Sequence, residues 1–143
     1  MILSEVVLGA DGMSAENKIA SHEIVYDREK NRIYITAVGD WDIEQSDAFL
    51  RDYREAVART RPGFTVLSDV RAFKCSAEDV QQNHAKAIKM DADAGVKRVA
   101  RVVGSTPLAG FQIKRISRAV ENYESENFAT LEEAESYLDS DDV

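Results

Sequence analysis

One cysteine, two histidines and an arginine set in an apolar run have the most chemistry to offer in this chain of 143 residues. Cys75 stands just before an expected helix start, where the helix dipole favours a thiolate and hence a nucleophile. A phosphatase-type loop would carry an arginine five residues on. Val80 stands there instead, after Glu78 and Asp79, so Cys75 reads as a small side chain. His22 and His84 lie far apart and in no ligand spacing, and a single cysteine cannot build a Cys-cluster metal site. His84 falls on the apolar stripe of a helix, where a satisfied, half-buried imidazole outweighs an acid–base role. With no Gly-x-Ser-x-Gly, P-loop or dinucleotide fingerprint in the sequence, the expectation is no catalytic residue, no metal and no cofactor.

Binding offers more candidates. Ser76, with Asp79 three residues on, reads as a helix cap worth about 1 kcal/mol. It is also a candidate phosphosite, because a phosphate would answer the same backbone donors. Gly104-Ser105-Thr106-Pro107 presents free N–H groups at a helix start, so Ser105 and Thr106 are candidates to hold a carboxylate or phosphate. Arg101 is the odd residue of a buried strand and is expected to meet a carboxylate. With Lys97, Arg98, Lys114, Arg115 and Arg118 it concentrates positive charge in an acidic chain. Lys114 and Arg118 are helical neighbours and could face an acidic partner or a lipid headgroup, against the plainer reading of a solvated face. Trp41, the sole tryptophan, follows a strand end, where open α/β sheets place ligand crevices. It could equally close the edge of the core. Asp139, Asp141 and Asp142 imitate part of a calcium loop without its Gly and closing Glu, and read as a solvated, frayed tail.

The elements that must position these residues follow from composition and period. At 44% hydrophobic and 31% charged, the chain is suited to one ordinary core. A net charge of −8 disfavours nucleic acid and anionic lipid. Without an intramolecular disulfide, a basic leader or an apolar run of membrane-spanning length, a cytoplasmic setting with no transmembrane segment is expected. Residues 1–18 read as an N-terminal extension, with a short strand at Val6–Leu8 and Met13 as an alternative start to Met1. Residues 19–143 form the domain.

Residues 22–26 and 32–38 are β-branched and aromatic around a charged turn, and predict a hairpin. Asp42 and Gln45 form a capping-box pattern, and Ile43, Phe49, Leu50, Tyr53 and Val57 recur at helical spacing before Pro62-Gly63. A strand over 64–70 follows. A second helix from Ser76 has Val80, His84, Ala87 and Ile88 inside and Gly95 as its stop. After a strand over 97–103, Thr106 caps a third helix with Ala109, Ile113, Ile116, Val120 and Tyr123 on its inner stripe. A short extended piece over 127–129 and a fourth helix capped by Thr130 and Glu133, with Leu131, Ala134, Tyr137 and Leu138 inside, complete the chain. Alternation of strands and helices predicts an α/β fold: a mixed, mostly parallel sheet with an N-terminal antiparallel hairpin and about four helices.

Four segments in this order, Val38-Gly39-Asp40-Trp41, Val66 to Phe73, Gly95 to Ala100 and Phe128 to Ala134, resemble the SpoIIAA-like (STAS-related) proteins over about Ile19 to Leu138. The resemblance implies a SpoIIAA-like fold related to STAS domains, which are phosphorylation-switched binding partners, and to lipid-carrying CRAL-TRIO domains. Both precedents are binding modules. The family's switch serine lies in an Asp-Ser-Ser-Gly turn; here Lys74-Cys75-Ser76-Ala77-Glu78 replaces it, so only Ser76 carries the implication of a phosphosite. The expectation is a non-enzymatic protein-interaction or regulatory module of unknown partner that forms a homodimer. The alternative is a carrier or sensor of a small apolar or lipid-like ligand, in a cavity walled by residues such as Trp41, Phe73, Phe111 and Tyr123.

Overall fold

The computed structural model describes residues 19–74, 77–104 and 123–140. The expected strand at Val6–Leu8, Cys75, Ser76 and the helix from Thr106 lie outside the described residues. The fold class expected from the sequence appears in its general form: a five-stranded mixed sheet in the order β1-β2-β3-β4-β5, with three helices among the described residues.

β1 (Ser21–Asp27) and β2 (Arg32–Asp40) pair antiparallel, from Ser21 opposite Val38 to Asp27 opposite Arg32. Their turn ends on Asn31, whose φ of 55° lies in the left-handed region that asparagine tolerates. The Asn31 side chain secures the turn. Its Oδ1 accepts from the Tyr26 hydroxyl at 2.8 Å and from Arg61 N at 3.1 Å, while its Nδ2 donates to Arg61 O at 3.0 Å.

α1 (Ile43–Val57) starts as its cap pattern predicts, Asp42 accepting from Gln45 N at 2.9 Å. The other half of the expected box differs, because the Gln45 side chain reaches His22 Nδ1 at 2.7 Å instead. Ile43 is 36% exposed, so the buried stripe begins at Ser46 and runs through Phe49, Leu50 and Tyr53.

β3 (Thr65–Lys74) extends past the expected 64–70 because its pairing with β2 resumes over Ala72–Lys74. Between Asp69 and Ala72 it carries one more residue than β2 does between Thr36 and Val38. That bulge is held by the Asp69 carboxylate, which accepts from Arg71 N at 3.2 Å, Nε at 2.9 Å and Nη2 at 2.7 Å.

α2 (Glu78–Asp93) has Ala77 at its cap position, with no side-chain cap bond. Its first-turn acids Glu78 and Asp79 complement the dipole there without a cap. Gly95 ends the helix with φ of +89°, and a Cβ there would lie 3.4 Å from Pro62 Cβ.

β4 (Arg98–Val102) and β5 (Ser125–Phe128) continue the sheet in parallel. β5 starts two residues before the expected 127. α3 (Leu131–Asp139) follows, with Thr130 Oγ1 accepting from Glu133 N at 3.2 Å.

Both faces of the sheet are covered, which is why all five residues of β4 are buried. α1 and α2 pack on the face that carries Ile33, Ile35, Val66, Val70 and Val99. α3 closes the other face, setting Ala134 and Leu138 on Leu67, Ala100 and Val102. Leu131, expected inside, is 42% exposed. Asp139 is not frayed, because it pairs with Arg32 Nη2 at 2.9 Å. Glu135 Oε2 accepts from Lys30 at 3.0 Å, Arg32 Nη1 at 2.6 Å and the Tyr34 hydroxyl at 2.6 Å, fastening α3 to the hairpin. Among the described residues no helix is long and apolar enough to cross a membrane.

Candidate functional site

The pleat of β4 alternates its side chains between the two covered faces. Ala100 and Val102 join the α3 side, while Val99 joins the α1/α2 side. Arg101 shares the face of Val99, and the structure leaves it 2% exposed. The guanidinium is therefore delivered into the main core. Strand register sets its neighbours: Ile35, Ser68, Arg101 and Asn127 lie side by side across β2, β3, β4 and β5.

Arg101 Nη1 donates to Asn127 Oδ1 at 3.0 Å, and Tyr123 lines the same cavity as the guanidinium. Nη2 is buried with no hydrogen-bond partner. The expected carboxylate partner is not found, since no ion pair involves Arg101 among the described residues. An amide oxygen across the β4–β5 register takes that place.

The two helices supply the roof. On α2, His84, Ile88 and Asp91 recur at the four- and three-residue steps of one helix face. On α1, Phe49 and Tyr53 do the same, and the Tyr53 hydroxyl donates to Asp91 Oδ1 at 2.6 Å. Roof, sheet and Tyr123 line a partly open cavity of about 50 Å³. Its walls are largely apolar, with Ile35, Val66, Val70 and Val99 from the sheet and Trp41 and Phe49 beside them.

At one end of the cavity the aromatic rings form a cluster. Trp41 lies 5.2 Å from Phe49, 4.8 Å from Phe73 and 5.9 Å from His84, and its indole N–H donates to Val38 O at 2.9 Å. His84 stacks on Phe73 with centroids 5.2 Å apart.

This setting shifts Asp91, His84, Tyr53 and Tyr123. Burial raises the Asp91 carboxyl to about 7, against the lowering effects of the Tyr53 hydrogen bond and the Arg101 charge. Burial pushes the His84 imidazole down to about 4, outweighing its contact with Val80 O, and the Arg101 charge adds to the drop. His84 is half-buried, with the rings of Trp41, Phe49 and Phe73 at 5.9, 6.1 and 5.2 Å. Burial also drives the Tyr53 and Tyr123 phenols up, with Asp91 next in effect, so both stay protonated. The arrangement is one fixed cation, a carboxyl that titrates near neutrality, two phenols and a neutral imidazole around an apolar void. That combination can hold a small molecule with a polar head.

His22 lies on β1, outside the lining of this cavity. Its Nδ1 faces Gln45 Nε2 at 2.7 Å and its Nε2 faces Asp52 Oδ2 at 2.9 Å, so both ring nitrogens are engaged in fixing β1 to α1. Among the described residues no group of three or more His, Cys, Asp or Glu side chains could hold a metal ion.

Of the residues singled out in the sequence, Trp41 and Arg101 line this one cavity, and neither belongs to an exposed partner surface. Arg98 and Arg101 are 6% and 2% exposed, so neither adds to a basic surface patch. Ser105, Thr106, Lys114, Arg118 and Ser76 lie outside the described residues. Tyr123 lines the cavity, Phe73 lies 4.8 Å from Trp41, and Phe111 lies outside the described residues.

Sequence reasoning missed Asp91, Ser68 and Asn127. The stripe Val80, His84, Ala87, Ile88 continues to 91, so the next step of the helical period would have found Asp91. Ser68 follows from alternation between Val66 and Val70. Asn127 becomes visible only once β5 is docked on β4. No protein-family model matches the chain, and no curated protein matches it.

Proposed function

We propose that the chain is a non-enzymatic regulatory module of SpoIIAA-like type that senses a small ligand held between its sheet and the helices α1 and α2. The observation that carries this reading is the cavity of about 50 Å³ beside the buried core of the sheet and the helices α1 and α2. A protein interior rarely keeps space larger than a water molecule, and here the space is bordered by Arg101, Asp91, Tyr53 and Tyr123. The volume suits a ligand of few atoms, well below the ~150 Å³ apolar cavity that takes benzene. The non-enzymatic part rests on the histidines: one is engaged at both ring nitrogens and the other is held neutral among aromatic rings. Homodimer formation in the cytoplasm belongs to the same proposal, and native mass spectrometry reads the subunit count directly.

The test is to record ¹H–¹⁵N spectra while adding two- to four-carbon alcohols, amides and acids. At least one compound class is expected to move the Trp41 indole resonance in a saturable way, and Ala87→Leu, which fills the roof, is expected to abolish the effect. If no class perturbs Trp41 at millimolar concentration, the reading fails.

A further inference from the structure

We infer that the ligand of this cavity is a short-chain monocarboxylate whose carboxylate is held by Nη2 of Arg101. The inference rests on the small-ligand reading above and names its chemistry. An arginine in a core cannot shed its charge, so burial must be compensated by an anion or by a full set of acceptors. At 2% exposure the Arg101 guanidinium has neither among the described residues. Nη1 rests on a neutral amide oxygen at 3.0 Å, the nearby Tyr123 hydroxyl is a neutral phenol, and Nη2 is unpartnered. Asp91 shares the cavity, but it forms no ion pair with Arg101, and its proton is retained to about pH 7.

A guanidinium edge is shaped for the two oxygens of a carboxylate. Ser68, next to Arg101 on β3, supplies a further donor on the same wall. Behind the polar end, Ile35, Val66, Val70 and Ile88 offer contact to an alkyl group, which a hydrated inorganic anion cannot use. Since one water needs ~10–15 Å³ of such space, a cavity of about 50 Å³ takes roughly three to five non-hydrogen atoms, the size of acetate or propionate.

The experiment titrates the whole chain with propionate, propionamide, n-propanol and chloride at constant ionic strength. Binding is read from the fluorescence of Trp41, the sole tryptophan and a wall of the cavity, and from the melting temperature. Propionate is expected to saturate and to raise the melting temperature, with propionamide weaker by roughly tenfold or more. Chloride should leave Trp41 unchanged. Arg101→Gln should lose propionate by a similar factor and keep n-propanol. Should Arg101→Gln fail to fold, the wild-type Arg101 side-chain NH resonances provide the test, and they must shift in proportion to propionate occupancy. Equal binding of propionate and propionamide, an equal response to chloride, or undiminished propionate binding by Arg101→Gln overturns the inference and leaves the small-ligand reading standing, provided the neutral probes still reach Trp41. Silence of Trp41 toward all four probes removes both.

Discussion

The Tyr53 hydroxyl donates to Asp91 Oδ1 across 2.6 Å, joining α1 to α2 in the roof of the cavity. Both residues are almost fully buried, at 1% and 3% exposure, so neither can turn to water if the other is lost. Tyr53→Phe is therefore expected to destabilise the fold by about 1–3 kcal/mol, the cost of an unsatisfied buried acceptor. In a double-mutant cycle with Asp91→Ala, which removes the acceptor, urea unfolding should return a coupling clearly different from zero. Additive effects would mean that the bond contributes nothing.

The Asp91 and His84 shifts act on stability with opposite signs. Asp91 goes from its ordinary 3.8 to about 7 on folding, so between those values the folded chain keeps a proton that the unfolded chain has released. That contribution is full at low pH and declines as pH rises toward 7. His84 falls from 6.5 to about 4, so the unfolded chain holds the extra proton and stability increases across that window. Each slope is at most about 1.4 kcal/mol per pH unit. Relative to the parent, Asp91→Asn is expected to gain stability as pH rises from 4 to 7, and His84→Phe to lose it. Urea midpoints at pH 4, 5.5 and 7 check this, since subtracting the parent profile cancels the other carboxylates. Parallel profiles for both variants and the parent would refute the assignment.

Glu135 is the common acceptor for Lys30, Arg32 and Tyr34. Burial alone would raise its pKa, but the hydrogen bonds from Tyr34 and Lys30 and the charge of Arg32 hold it below the usual value. Removing that charge leaves Arg32, 4% exposed, with Asp139 as its remaining ion-pair partner among the described residues. Glu135→Gln is expected to cost about 1–3 kcal/mol and to speed amide exchange in α3 more than in α1. Uniform exchange across both helices would count against a local clamp.

Gly95 combines a φ of +89° with a close approach to Pro62. Gly95→Ala is expected to destabilise by about 1–2 kcal/mol through left-handed strain. A thermal melt at or above the parent's would show that the α2 stop does not need glycine.

Much of this architecture is written locally. The hairpin shows in its β-branched and aromatic residues, α1 and α3 in Asp42 and Thr130, and the end of α2 in Gly95, because each signal depends on one element's own backbone geometry. Ile43 and Leu131 were expected inside because they open a periodic stripe, yet which first-turn residue is covered depends on where the helix docks. Arg101 is the clearest division. Its place in an apolar run determined that it would be buried and in need of a partner. That the partner is Asn127, that Asp91 and Tyr53 stand opposite, and that a cavity remains between them were decided by strand register and helix docking. Those relations join residues far apart in the chain, and no local period encodes them.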